Sequence, residues 1–156
     1  MLDVEYCEGS FDLLDEIAPL WEKLRDHHAG VSLHFSDVIA AATFTARKEK
    51  LAELAEEGAL RVVLARLKDT ETCIGYCVAS VSRDKVGSVE SVFVEEPCRD
   101  HGIGDALIRK ALAWLDGMKV KANTIHVAYG NERVHAFYRR YGFYPRNVLM
   151  QQKEKK

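Results

Sequence analysis

Ser88-Val-Glu-Ser-Val-Phe-Val-Glu-Glu-Pro-Cys-Arg-Asp-His-Gly-Ile-Gly-Asp-Ala-Leu107 decides how the chain folds. The apolar, β-branched run of Val89, Val92, Phe93 and Val94 predicts a strand, and Pro97 ends it. Arg99-Asp100-His101-Gly102-Ile103-Gly104 then leads into helical apolar spacing. A turn without Cβ atoms at Gly102 and Gly104 lets main-chain N–H groups approach a ligand closely. The helix behind it adds unpaired donors and the positive end of its dipole. Strand, glycine turn and helix together make an anion site suited to a phosphate or pyrophosphate.

The glycine spacing excludes two nucleotide sites. A Walker loop needs two glycines five apart followed by Lys and Ser or Thr, which this stretch lacks. A dinucleotide fingerprint needs a third glycine three places after Gly104, where Leu107 stands.

Outward from this stretch, 156 residues with 47% hydrophobic and 29% charged side chains suit one compact domain spanning 1–156. A formal charge of −2 gives no general basis for nucleic-acid binding, and the Lys153-Glu154-Lys155-Lys156 run reads as a solvated tail. No apolar run reaches membrane-spanning length and Met1-Leu2-Asp3-Val4-Glu5 lacks a signal pattern, so a cytoplasmic location is expected. Cys7, Cys73, Cys77 and Cys98 show no paired metal spacing and read as reduced thiols. The histidines of 27–35 lack a helical His pair with an intervening Glu, so no metal is expected there.

Before the central stretch, Val4–Cys7 predicts a strand. Ser10 predicts the cap of a helix reaching about His28, kinked at Pro19. A loop over 27–35 follows, then a helix capped by Ser36 and stopped at Gly58. Leu60–Leu67 and Cys73–Val81 read as a hairpin, with the central strand as its third member. Beyond the central helix, Asn123–Tyr129 predicts a strand, Glu132–Tyr141 a short helix and Phe143–Met150 a final strand.

Two motifs and their order carry a resemblance. Arg99-x-x-Gly102-x-Gly104, and downstream Asn131, a short helix, Phe137-Tyr138, two polar residues, x and Gly142-Phe143, resemble the two signature blocks of the GNAT superfamily of N-acetyltransferases. The similarity is close over Ser88–Tyr144 and elsewhere extends to element order. It departs in placing Glu96 where a proline is common and Asp100 where a glycine is common. The resemblance implies an α/β (α+β) GNAT fold with a mixed, mostly antiparallel sheet of about six to seven strands and about four helices. It also implies acetyl-CoA as co-substrate, no metal, and a primary amine as acceptor; a homodimer stays open.

Acetyl transfer makes definite demands. An amine attacks a thioester only when neutral, and a lysine-like amine with a pKa of about 10.4 needs a proton acceptor at pH 7. Glu90 is the candidate, expected on one strand face with Ser88, Val92 and Val94; a salt bridge or a water-facing edge is the competing reading. The resemblance implies Tyr138 as proton donor to the leaving thiolate. It also implies that main-chain groups of Val92, Phe93 and Val94 hold the pantetheine arm. In the same way it assigns the pyrophosphate to Arg99 and the amides of Asp100, His101, Gly102, Ile103, Gly104 and Asp105, and a pantetheine contact to the Asn131 side chain. The N-terminal helices and the loop Ala29–Phe35, with Tyr76, His126 and Tyr144, are candidates for the acceptor's surroundings. Three readings stay open: small-molecule amine transfer, transfer to a protein N-terminus or lysine, and a non-catalytic acyl-CoA-binding module.

Overall fold

The computed structural model describes residues 2–154. Five strands, β1 (Val4–Gly9), β2 (Ala59–Leu67), β3 (Cys73–Val81), β4 (Val86–Val94) and β5 (Ala122–Ile125), form one sheet in chain order. The pairs from β1 to β4 are antiparallel. The last pair, β4 with β5, is parallel, as it must be once helix α4 (Ile103–Gly117) serves as the crossover.

Both sheet faces are covered, which explains why β2 and β3 read as nearly continuous apolar runs. On one face α4 lays Leu107, Ile108, Ala111 and Leu115 over Val63, Cys77, Ala79 and Val89. On the other, α1 (Ala18–Val31), α3 (Phe44–Glu57) and the 3₁₀ turn at Phe11–Ile17 bring Leu14, Leu20, Trp21 and Leu51 to Val62, Leu64, Tyr76, Val78 and Phe93. Successive residues of β2 and β3 alternate between the two cores, whereas the edge strands β1 and β5 leave Glu5, Glu8 and Ala122 to water.

The structure corrects four local expectations. The expected kink at Pro19 is instead the start of a helix: Pro19 lies in the first turn of α1, where a missing N–H costs nothing. Ser10 does not cap; its hydroxyl donates to Leu60 O at 3.0 Å and pins the turn to β2. The helix expected from Ser36 to Gly58 is split into α2 (Ser36–Ala40) and α3. Thr43 Oγ1 accepts from the Ala46 N–H at 3.2 Å, so its hydroxyl takes an N-terminal donor and starts a new helix. The sheet has five strands, not six to seven, because 143–150 forms none. Pro145 removes a ladder donor there, and Leu149, 90% exposed, has no face to bury.

Alpha-helix α5 (His135–Arg139) is short, preceded by a 3₁₀ turn at Glu132–Val134. No helix among the described residues is long and apolar enough to cross a membrane.

Candidate active site

The cleft originates in one irregularity of β4. Ser91 pairs with Val78 and Val89 with Ala79, so Glu90 is an extra residue, a β-bulge. A bulge bends its strand and increases its twist. Pairing of β4 with β5 stops immediately beside it, at Val89 with Ile125, and the two strands part. The cavity beyond the last pair has a volume of about 1040 Å³ and runs from the start of α4 to α1, α2 and α3.

Along this opening β4 offers an unpaired edge. The Glu95 N–H donates to Ile74 O at 2.8 Å, so by the alternation of an antiparallel ladder Phe93 also turns its main chain to β3. The main-chain groups of Val92 and Val94 then face the cleft. Val94 O already accepts from Arg99 Nε at 2.8 Å.

The glycine turn stands at the end of that edge. Asp100 (φ 66°) and Gly102 (φ 77°) both adopt left-handed backbone, and a Cβ built on Gly102 would meet nothing within 4 Å. That open space beside the first N–H groups of α4 fits a phosphate approaching main-chain donors. Arg99 folds back, its guanidinium 5.3 Å from the Phe93 ring centre. The Ile103 side chain is core, leaving only its amide for a ligand. His101 does not line the cavity: its Nδ1 lies 2.8 Å from Arg99 O. The Asp105 carboxylate accepts from the Tyr141 hydroxyl and from Arg109 Nε at 3.0 Å, and these bonds hold it below the usual carboxylate range. Arg140, its Nη2 3.6 Å from Asp105 Oδ1, also lines this end, and Arg133 lines the same cavity; both add positive charge that the sequence reading missed, although both lie inside the downstream block.

Glu90 faces a side that a plain alternation does not predict. The bulge turns it, with Ser91 and Phe93, toward α1 and α3, while Val92 and Val94 pack on the α4 side. Its Oε1 accepts from Arg47 Nη2 at 3.2 Å and its Oε2 from Ser80 Oγ at 2.8 Å. The salt-bridge reading of Glu90 is therefore what the geometry contains, and the carboxylate still lines the cavity.

Tyr138 enters from α5. Phe137 packs on the first turn of α4, within 3.7 Å of a Cβ built on Gly104, which fixes α5 over the cleft. The Tyr138 hydroxyl has no hydrogen-bond partner among the described residues, and burial raises its pKa above the ordinary phenol value. Asn131 is buried, with Oδ1 3.4 Å from His27 Nε2, and makes no side-chain cap for the turn that follows.

Glu90, Tyr138, Asn131, Val92, Phe93, Val94, Arg99, Asp100, Gly102, Ile103, Gly104 and Asp105 thus line one cavity. Of the further candidates, His126 lines it, but Tyr76 is wholly buried with its hydroxyl 2.6 Å from Ser91 Oγ, and Tyr144 is exposed elsewhere. The segment 29–35 does not line it; His27 and His28, inside α1, do.

Residues 21–143 match the model of the acetyltransferase (GNAT) family. The chain belongs to that family. No curated protein sequence matches it significantly. Among solved structures, a GCN5-related N-acetyltransferase from Ralstonia eutropha is similar at 19% identity and a TM-score of 0.74, covering 96% of this chain and 98% of that one. A mutant of the BH1408 protein of Bacillus halodurans is similar at 18% identity and a TM-score of 0.74, covering 95% and 98%. The aminoglycoside N-acetyltransferase AAC(6')-Iy, in complex with a bisubstrate analogue of CoA and acetylneamine, is similar at 16% identity and a TM-score of 0.66, covering 98% and 99%. These likenesses show the GNAT fold, with the central sheet and flanking helices arranged as in those proteins.

Proposed function

We propose that this protein transfers the acetyl group of acetyl-CoA to a primary amine of a small molecule, by direct attack in a ternary complex. The observation that carries the reading is the parted β4 edge, lying between a left-handed glycine turn at one end and a free tyrosine hydroxyl beside it. The N–H groups at the start of α4, with Arg99, Arg133 and Arg140, would take the pyrophosphate. The main chain of Val92 and Val94 would hold the pantetheine arm as an added strand does, and its N–H would stabilise the developing charge on the thioester oxygen. A CoA-bound relative of the same fold supports this use of the cleft.

Each residue then has a defined task. Glu90, held by Arg47 and Ser80, keeps acceptor capacity toward the cavity and takes the amine's proton directly or through water. Tyr138, kept protonated by burial, donates to the sulfur as the thiolate leaves. A small acceptor is favoured because α1 bridges the cleft. A Cβ built on Gly130 would lie 2.1 Å from Val31 O, and His27 touches Asn131.

Thiol release from acetyl-CoA across an amine panel tests the reading. Tyr138→Phe should lower kcat about 100-fold with acetyl-CoA affinity little changed. Glu90→Gln should shift the pH profile of kcat/KM upward. Acetyl-CoA binding without release by the wild type would make the protein a binding module; unchanged kcat in Tyr138→Phe removes that residue from the donor role, and an unaltered Glu90→Gln profile removes Glu90 from the acceptor role.

A further inference from the structure

We infer that the acceptor is an amine carrying a carboxylate beside it and an apolar remainder, an amino-acid-like zwitterion; this rests on the acetyl-transfer reading above. At the helical end of the cavity the charged side chains are Arg25, Arg47 and Glu90, joined by His27 and His28. The other acidic lining residues, Asp100 and Asp105, belong to the turn and first residues of α4. A polycationic amine would meet two guanidiniums there, with one carboxylate already paired.

The arginines are poised for an anion. Arg47 is 25% exposed and Arg25 20%, so both are largely withdrawn from water. Arg47 spends only Nη2, on Glu90 O at 3.1 Å and Glu90 Oε1 at 3.2 Å; its Nε and Nη1 have no partner among the described residues. Arg25 gives Nη1 to Ala42 O at 3.0 Å and Nε to Asp26, leaving Nη2. Its guanidinium sits over the Trp21 ring, 5.7 Å from the ring centre. Donors that line a cavity and have no protein partner are open to a ligand, and a carboxylate is the acceptor whose geometry suits a guanidinium.

The neighbouring surfaces supply the rest of the recognition. Glu90 and Arg47 stand side by side, so an amine directed at Glu90 puts an adjacent carboxylate within reach of the free edge of Arg47. Val38, 62% exposed, and Ile39 of α2 line the cavity together with Trp21 and Leu24 of α1, and this apolar lining suits an aliphatic or aromatic side chain.

The test compares leucine, valine, methionine and phenylalanine with the amines formed by their decarboxylation, and with spermidine. Thiol release is measured with acetyl-CoA, and binding of each amine to the CoA-loaded protein by calorimetry. At least one amino acid should exceed its decarboxylated partner by about 10-fold or more in kcat/KM, since a site built around a substrate's polar group rejects the analogue lacking it. Arg47→Met and Arg25→Met should each pull that ratio toward one, a readout internal to each variant and independent of how much of it is folded. Decarboxylated amines or spermidine reacting as well or better would overturn the inference and leave acetyl transfer standing. Amino-acid binding that is lost in Arg47→Met, without thiol release from any amine, would keep the carboxylate site and defeat the transfer reading. Neither binding nor release with any of the four amino acids would overturn the inference.

Discussion

Asp100 holds a left-handed backbone, φ 66°, in a turn whose other contributions to a bound anion are donors. That conformation costs an L-residue about 1 kcal/mol, less for Asp than for bulkier side chains, because its short carboxylate can bond locally. Glycine would remove this cost while adding a comparable loss of chain entropy on folding, so Asp100→Gly should change stability by less than about 1 kcal/mol. Ligand affinity should respond more. Deleting a negative charge several ångströms from a pyrophosphate, partly screened by water, is worth about 1 kcal/mol, which corresponds to roughly 5-fold tighter acetyl-CoA. Calorimetric titration of both proteins checks this. Equal affinities would place the phosphates away from this turn.

At the scale of elements, the cleft depends on α1 reaching the connection after β5. Gly130 has φ 105°, and its main chain packs against Val31 O at the end of α1. Gly130→Ala must push the two apart, at a cost of about 1–3 kcal/mol, a fall in Tm of several degrees for a domain of this size. Because α1 carries Arg25, His27 and His28 to the acceptor end, KM for the amine should rise while acetyl-CoA affinity holds. Thermal unfolding and steady-state kinetics measure the two halves, and an unchanged KM would detach α1 from the acceptor site.

The same elements show what sequence discloses. β4, the turn at Gly102 and α4 are legible because β-branched runs, glycine and a 3.6-residue apolar stripe are local signals. The facing of Glu90 is not, since the extra residue of a bulge exists only relative to Val78 and Ala79 on the neighbouring strand. The helix break at Thr43 was readable as a cap signal but competes with a helical pattern that runs through it. The apolar residues of 143–150 suggest a strand, but apolar spacing does not reveal whether any sheet edge is free to receive it. Arg25 and Arg47 resemble ordinary helix-surface arginines until packing withdraws them from water.

For the whole molecule, covering the sheet on both faces sets its response to alkali. Burial pushes the Cys77 thiol up to about 12 and raises Tyr76 and Tyr138 above the ordinary phenol value; Tyr141, with burial and its bond to Asp105, is pushed up to about 12. These groups keep their protons in the folded state, whereas in the unfolded chain a thiol ionises near 9 and a phenol near about 10. Above those values the folded state binds more protons than the unfolded one, so stability falls as pH rises. For Cys77 this stabilisation is fully present below pH 9 and is lost progressively toward 12, at about 1.4 kcal/mol per pH unit within that window. Urea unfolding followed by far-UV circular dichroism at pH 8, 9 and 10 should give midpoints that fall with pH. Cys77→Ala should be less stable at pH 8, from the cavity it leaves, yet lose less stability between pH 9 and 10 than the wild type. Equal losses in the two proteins over that interval would mean that the Cys77 thiol ionises alike in the folded and unfolded states, contrary to its burial between β3 and α4.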